Sequence, residues 1–213
     1  MLADGLRFAA GPCAAIVLQR AILTSPGEWD GGRAREHHQA KRQVKMKTTL
    51  RVARVPYLNT EPFFPEDLST LPFTVVALPP RQLGEAALRG EIDAGPMAVV
   101  DYFRLSDRFE PLADLGIAAR GEAQSVLLLS QRPLVQLHGS VIDVTSDTST
   151  SVVLLRLLLE ERYHIVPSDY RRLNGATGAA EARLVIGDEA LRLRRQDRRM
   201  PYLIDLGMEW WLW

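Results

Sequence analysis

The chain has 213 residues, 46% hydrophobic and 24% charged, the balance of globular material able to bury one or two substantial cores. Twenty-six basic residues offset twenty-six acidic ones, so no net field draws the chain to nucleic acid or to an anionic membrane, and any anionic ligand has to be held locally. A single cysteine, Cys13, excludes an intrachain disulfide framework or a CxxC zinc pair. His37, His38, His138 and His164 fall in no ligand spacing, and neither a P-loop nor GxGxxG occurs, so the sequence points to no metal and no cofactor.

Residues 1–45 stand apart. A short apolar stretch over 8–18, interrupted by Gly11-Pro12, precedes a polar, basic run through His37, His38 and Lys45. The apolar stretch is too short to span a bilayer and no small-residue cleavage site follows it directly. The segment reads as a disordered tail, a leader or a start-site artefact, with the folded unit beginning at Met46.

After Met46, apolar and basic residues alternate at period two over 50–55, predicting a strand, and a second strand follows over 73–78. Pro79-Pro80 opens a helix over 81–89 that Gly90 closes, the expected punctuation at each end. A short segment over 91–97 leads to a helix over 98–105, then to strands over 112–119 and 125–130. A second unit begins with a strand over 141–144, followed by a helix over 150–163, a strand near 170–173 and a buried strand at 184–186 that ends in Gly187-Asp188. Strands alternating with helices predict an α/β protein with mostly parallel sheets covered on both faces. The arginines over 192–199 are interleaved with Leu193 and Asp197, which reads as a solvated face rather than a nucleic-acid surface.

In such folds ligands sit at the carboxyl ends of strands. Three polar segments directly follow apolar strands, at 55–60, 144–151 and 186–188. The middle one reads Thr145-Ser-Asp-Thr-Ser-Thr-Ser, six hydroxyls around one carboxylate at a helix opening, where unpaired backbone N–H groups favour an anion. The same residues also serve as plain helix caps, Asn59 as a turn residue and Asp188 as an N-cap, and composition does not separate these uses.

Taken in order, Val55-Pro-Tyr-Leu-Asn-Thr-Glu-Pro-Phe, Leu88-Arg-Gly-Glu-Ile-Asp-Ala-Gly, Gln124-Ser-Val-Leu-Leu-Leu-Ser, the hydroxyl run, Arg183-Leu-Val-Ile-Gly-Asp-Glu-Ala-Leu and Asp205-Leu-Gly-Met-Glu-Trp resemble the chorismate dehydratase family of the futalosine route to menaquinone. The resemblance implies a two-lobe fold like the type II periplasmic binding proteins, with a ligand cleft between the lobes. The first lobe would span 46–123, completed by 206–213, and the second 124–205. It further implies a cytoplasmic lyase that takes chorismate, a dicarboxylate, to 3-[(1-carboxyvinyl)oxy]benzoate and water without cofactor, metal, nucleic acid or membrane. Export is the alternative if residues 1–45 are a leader.

By the same resemblance Asn59 orients the substrate or assists the leaving hydroxyl, and Ser149 and Thr150 hold a carboxylate. Tyr57, Thr60, Ser151 and Asp188 are further substrate-binding candidates. Two departures stand out. Where the family places a functional Ser, this chain has Pro96-Met-Ala-Val-Val-Asp-Tyr102, so Asp101 or Tyr102 would have to substitute, or the protein binds a small carboxylate without turning it over. The chain also ends at Trp210-Trp-Leu-Trp213, where a return to the first lobe is expected, which reads as a shortened reading frame.

Overall fold

The computed structural model describes residues 14–19, 49–173, 180–196 and 200–213. Its strands form two five-stranded mixed sheets. In the first, β1 (Ala14–Gln19), β2 (Arg51–Arg54), β3 (Thr74–Ala77), β4 (Ala94–Ala98) and β5 (Phe109–Ile117) lie in the order β3-β2-β4-β1-β5. Strand β2 runs parallel to both β3 and β4, whereas β1 is antiparallel to both of its neighbours. Strand β1 corrects the reading of 1–45 as lying wholly outside the fold, because Ala14–Gln19 fill the position between β4 and β5. The rest of that segment lies outside the described residues.

Two helices serve this sheet. Helix α1 (Pro80–Leu88) carries Pro at its first position and buries Leu83, Ala86 and Ala87 against the core of Ala53, Val55, Ile92, Met97 and Phe109. The expected stop follows at Gly90, whose φ of 72° is the left-handed conformation that ends a helix without Cβ strain. Helix α2 (Val99–Arg104) begins directly at the end of β4. Arg51 ties β2 to the turn before β4, its Nε 3.1 Å from Asp93 Oδ2 and its Nη2 3.1 Å from Asp93 Oδ1.

The second sheet has the order β10-β6-β9-β7-β8, built from β6 (Val126–Ser130), β7 (Val141–Thr145), β8 (Asp169–Leu173), β9 (Ala182–Ile186) and β10 (Tyr202–Asp205). Pairing is parallel for β7 with β8 and β9, and antiparallel for β6 with β9 and β10. Both sheets are thus mixed rather than mostly parallel. Alternation along β6 sends Leu128 to one face and Leu127 and Leu129 to the other, and both faces are covered. Helix α3 (Thr150–Arg156), continued by a π-helical stretch at Leu157–Arg162, packs Leu154, Leu155, Leu158 and Leu159 on the Leu128 face. Helix α4 (Gly187–Gln196) places Ala190 against the Leu127 face.

The last helix, α5 (Leu206–Trp211), also belongs here. Leu206 is fully buried in the Leu128 core, and Arg162 reaches Glu209 with Nη1 to Oε2 at 3.1 Å. Residues 206–213, assigned from the sequence to the first lobe, therefore pack on the second sheet, because β10 delivers them to its edge. No helix among the described residues is long and apolar enough to cross a membrane.

Candidate functional site

Strand β2 ends in a 3-10 turn at Leu58–Phe63, which holds Asn59 and Thr60. The Thr60 hydroxyl is buried within reach of the Val55 carbonyl and, at 2.9 Å, the Tyr57 carbonyl. Its proton is spent on the loop, so Thr60 shapes the turn that presents Asn59. The Tyr57 ring crosses to the second sheet's side of the site and lies against Gly187. Burial, above all, and the carboxylate of Asp147, to which it donates, push the Tyr57 hydroxyl well above its ordinary range and keep it a neutral donor.

One cavity of about 110 Å³ is lined by Tyr57, Asn59, Thr60, Ser149, Thr150 and Ser151. The structure thus brings together residues from the first two strand-end segments, and Ile186 and Gly187 add the third. Asp188 is the exception. It stands beside a neighbouring cavity, and its Oδ1 accepts the Leu58 N–H at 3.2 Å, which ties the Asn59 turn to the start of α4. Ser125 and Thr148 also line the site and were missing from the candidates. Ser125 lies in the Gln124–Ser130 segment and Thr148 in the hydroxyl run, and nothing local distinguishes them from neighbouring hydroxyls.

Plain capping does not account for the hydroxyl run. Ser149 occupies the N-cap of α3 and makes no side-chain cap hydrogen bond. The Thr150 Oγ1 instead accepts the Val100 N–H across the interface at 3.2 Å, which leaves its own proton free to donate. Thr148 is fully buried, and its Oγ1 has no hydrogen-bond partner. Together these groups form a hydroxyl-rich wall at a helix opening, suited to an oxyanion.

The opposite wall is apolar, made by Pro96, Ala98, Ile117 and Val126. Neither Asp101 nor Tyr102 reaches this cavity. Asp101 points between α1 and α2, where a Cβ on Gly84 would lie 2.6 Å from its Oδ2, and Tyr102 packs on the first core. The polar substitute expected at this wall is therefore not supplied by either residue, because both positions turn away along α2. Burial raises the Asp101 carboxyl above its ordinary range, opposed by the Ser149 hydroxyl and Arg104. Among the described residues no cluster of three or more potential ligands could hold a metal.

Comparison with known proteins identifies the family of the chain. The menaquinone-biosynthesis family model matches residues 50–213. A chorismate dehydratase from Thermus thermophilus is 31% identical over 122 residues, covering 56% of this chain and 44% of that protein, so the chain spans less than half the length of this relative. A protein of Archaeoglobus fulgidus solved by X-ray crystallography superposes with a TM-score of 0.53 at 17% identity, covering 78% of this chain and 63% of the other, and shares its α/β fold. The family match takes in the strand ends, the α3 opening and the C-terminal helix, and the chain belongs to the menaquinone-biosynthesis family, the chorismate dehydratase family that its sequence resembles.

Proposed function

We propose that the protein is a chorismate dehydratase, a cytoplasmic lyase of the futalosine route, with its two sheets acting as the lobes of a periplasmic-binding-protein-like fold. The observation that carries this reading is the meeting of Asn59 with the Ser149–Thr150 helix opening in one cavity. Chorismate would place a carboxylate on the Ser149 and Thr150 hydroxyls, with its ring against Pro96, Ala98 and Ile117. The ring C–O bond breaks and an adjacent ring carbon gives up its proton, so hydroxyl and proton leave together as water and the ring becomes aromatic. The Asn59 amide N–H assists the departing hydroxyl, and the substrate's own side-chain carboxylate takes the proton. Aromatisation supplies much of the driving force, so the protein's task is positioning and electrostatic stabilisation.

The apolar wall at Pro96 and Ala98 favours one second reading, a binding protein for a small carboxylate without turnover. Incubating the purified protein with chorismate and following the aromatic product by chromatography and mass spectrometry separates the two. Product formed by the wild type and lost in Asn59→Ala supports the lyase. Thermal stabilisation by chorismate with no product supports the binder, and neither effect would sink both readings.

A further inference from the structure

A second and larger cavity, about 580 Å³, opens between α1, α2, α3 and β8. It has only Thr148 and Ser149 in common with the Asn59 cavity. Each of the four elements contributes one guanidinium, from Arg81, Arg104, Arg156 and Arg172, against the two carboxylates of Glu85 and Asp101. The positive groups are incompletely neutralised. Arg81 pairs with Glu85 at 3.0 Å and Arg156 with Glu160 at 3.4 Å, whereas Arg104 comes only within 3.6 Å of Asp101. Arg172 has no ion pair among the described residues, and its Nη1 donates to the carbonyls of Thr148 at 3.1 Å and Ser146 at 3.4 Å. Partial burial and the like charge of Arg81 pull the Arg172 guanidinium below its ordinary range, and the carboxylate of Glu85 offsets them only in part.

A second, independent feature marks the same place. Thr148, which stands in the wall between this cavity and the Asn59 cavity, is 0% exposed, and its hydroxyl has no hydrogen-bond partner. Buried hydroxyls in folded proteins are almost always paired, so a group left open beside a cavity needs a partner from outside the chain. Planar guanidiniums, with the N–H groups that these contacts leave over, match the paired oxygens of phosphate and carboxylate groups. The volume admits a small metabolite.

We propose that this cavity is a second ligand site, separate from the Asn59 cavity, which takes a small polyvalent oxyanion such as a phosphate ester on Arg81, Arg104, Arg156 and Arg172. Because α1 and α2 serve the first sheet and α3 and β8 the second, the ligand bridges the two halves. It also meets the Thr148–Ser149 edge of the neighbouring site.

Inorganic pyrophosphate is the probe. Thermal melting of the full chain at ionic strength matched with sodium chloride should show saturable stabilisation. Arg172→Gln should weaken the apparent affinity about tenfold or more, as loss of a charged contact does. Arg89→Gln, which removes the same charge from an arginine paired with Glu91 outside the cavity, should leave it unchanged. If circular dichroism shows Arg172→Gln unfolded, Arg156→Gln takes its place with the same expectation. Absence of saturable stabilisation overturns the proposal, and so does equal weakening in Arg89→Gln. Displacement of pyrophosphate by chorismate in direct competition would place both in one cavity and overturn the separateness of the site. The titration itself needs no chorismate, so its failure and failure of the dehydratase reading are distinguishable.

Discussion

The Tyr57 ring occupies the space where Gly187 would carry a side chain. A Cβ at 187 would lie 2.9 Å from two ring carbons, and the backbone there has a φ of 63°. Strand β9 can therefore end against the Asn59 turn only if residue 187 is glycine. Gly187→Ala should cost about 1–2 kcal/mol for the left-handed backbone alone. For a chain of this size each kcal/mol lowers Tm by about 2–4 °C. Displacing the ring also disturbs the Asn59 turn, so the proposed dehydratase turnover should fall further than stability explains. A Gly187→Ala protein with unchanged melting and turnover would contradict the contact.

Thr150 links the helix opening of the second sheet to the start of α2 on the first, through the Val100 N–H at 3.2 Å. Thr150→Val keeps the shape and removes the acceptor. It should cost about 1 kcal/mol in urea denaturation, the usual net worth of such a bond. Thr150→Ser should recover most of that loss. Because the same hydroxyl is proposed to hold a substrate carboxylate, Thr150→Val should also raise KM for chorismate while Thr150→Ser does not.

Asp205 was legible only as part of a terminal motif, yet it anchors the site from a distance. Its carboxylate accepts the N–H groups of Ala123 at 2.9 Å and Gln124 at 2.7 Å, and it caps α5 through Gly207 at 2.9 Å and Met208 at 3.2 Å. The first pair fixes the segment that carries Ser125 into the Asn59 cavity. Asp205→Ala leaves these donors unpaired and should cost about 3 kcal/mol, measured by chemical denaturation. Asp205→Asn keeps one acceptor oxygen and should fall between the two.

What the sequence displayed and what it hid follow from the range of the interactions. Period-two alternation over 50–55, the Pro79-Pro80 start and the Gly90 stop are local patterns, and β2 and α1 formed where those patterns lay. The three polar strand ends were visible for the same reason. Sheet order was not, because antiparallel insertion of Ala14–Gln19 between β4 and β5 depends on pairing with residues roughly eighty to a hundred positions away. Strand β10 escaped because its Tyr202 and Leu203 are exposed at a sheet edge and give no clean alternation. Thr148 and Ser125 gained meaning only once two distant segments faced each other.

Asp101 supplies a pH test. The residue is 8% exposed, its Oδ2 lacks a hydrogen-bond partner, and burial raises its pKa in the folded state. A carboxyl that ionises less readily when folded leaves stability intact below the unfolded-state pKa, near 4. As pH rises from there, the unfolded chain loses its proton first, so stability falls until the raised folded-state pKa is passed, and then levels off. Asp101→Asn removes that titration. The variant should match the wild type in Tm near the acid end of this window and exceed it at neutral pH, in scans from about pH 3 to about pH 7. A constant difference across the range would mean that Asp101 acts through packing against Gly84 rather than through its charge.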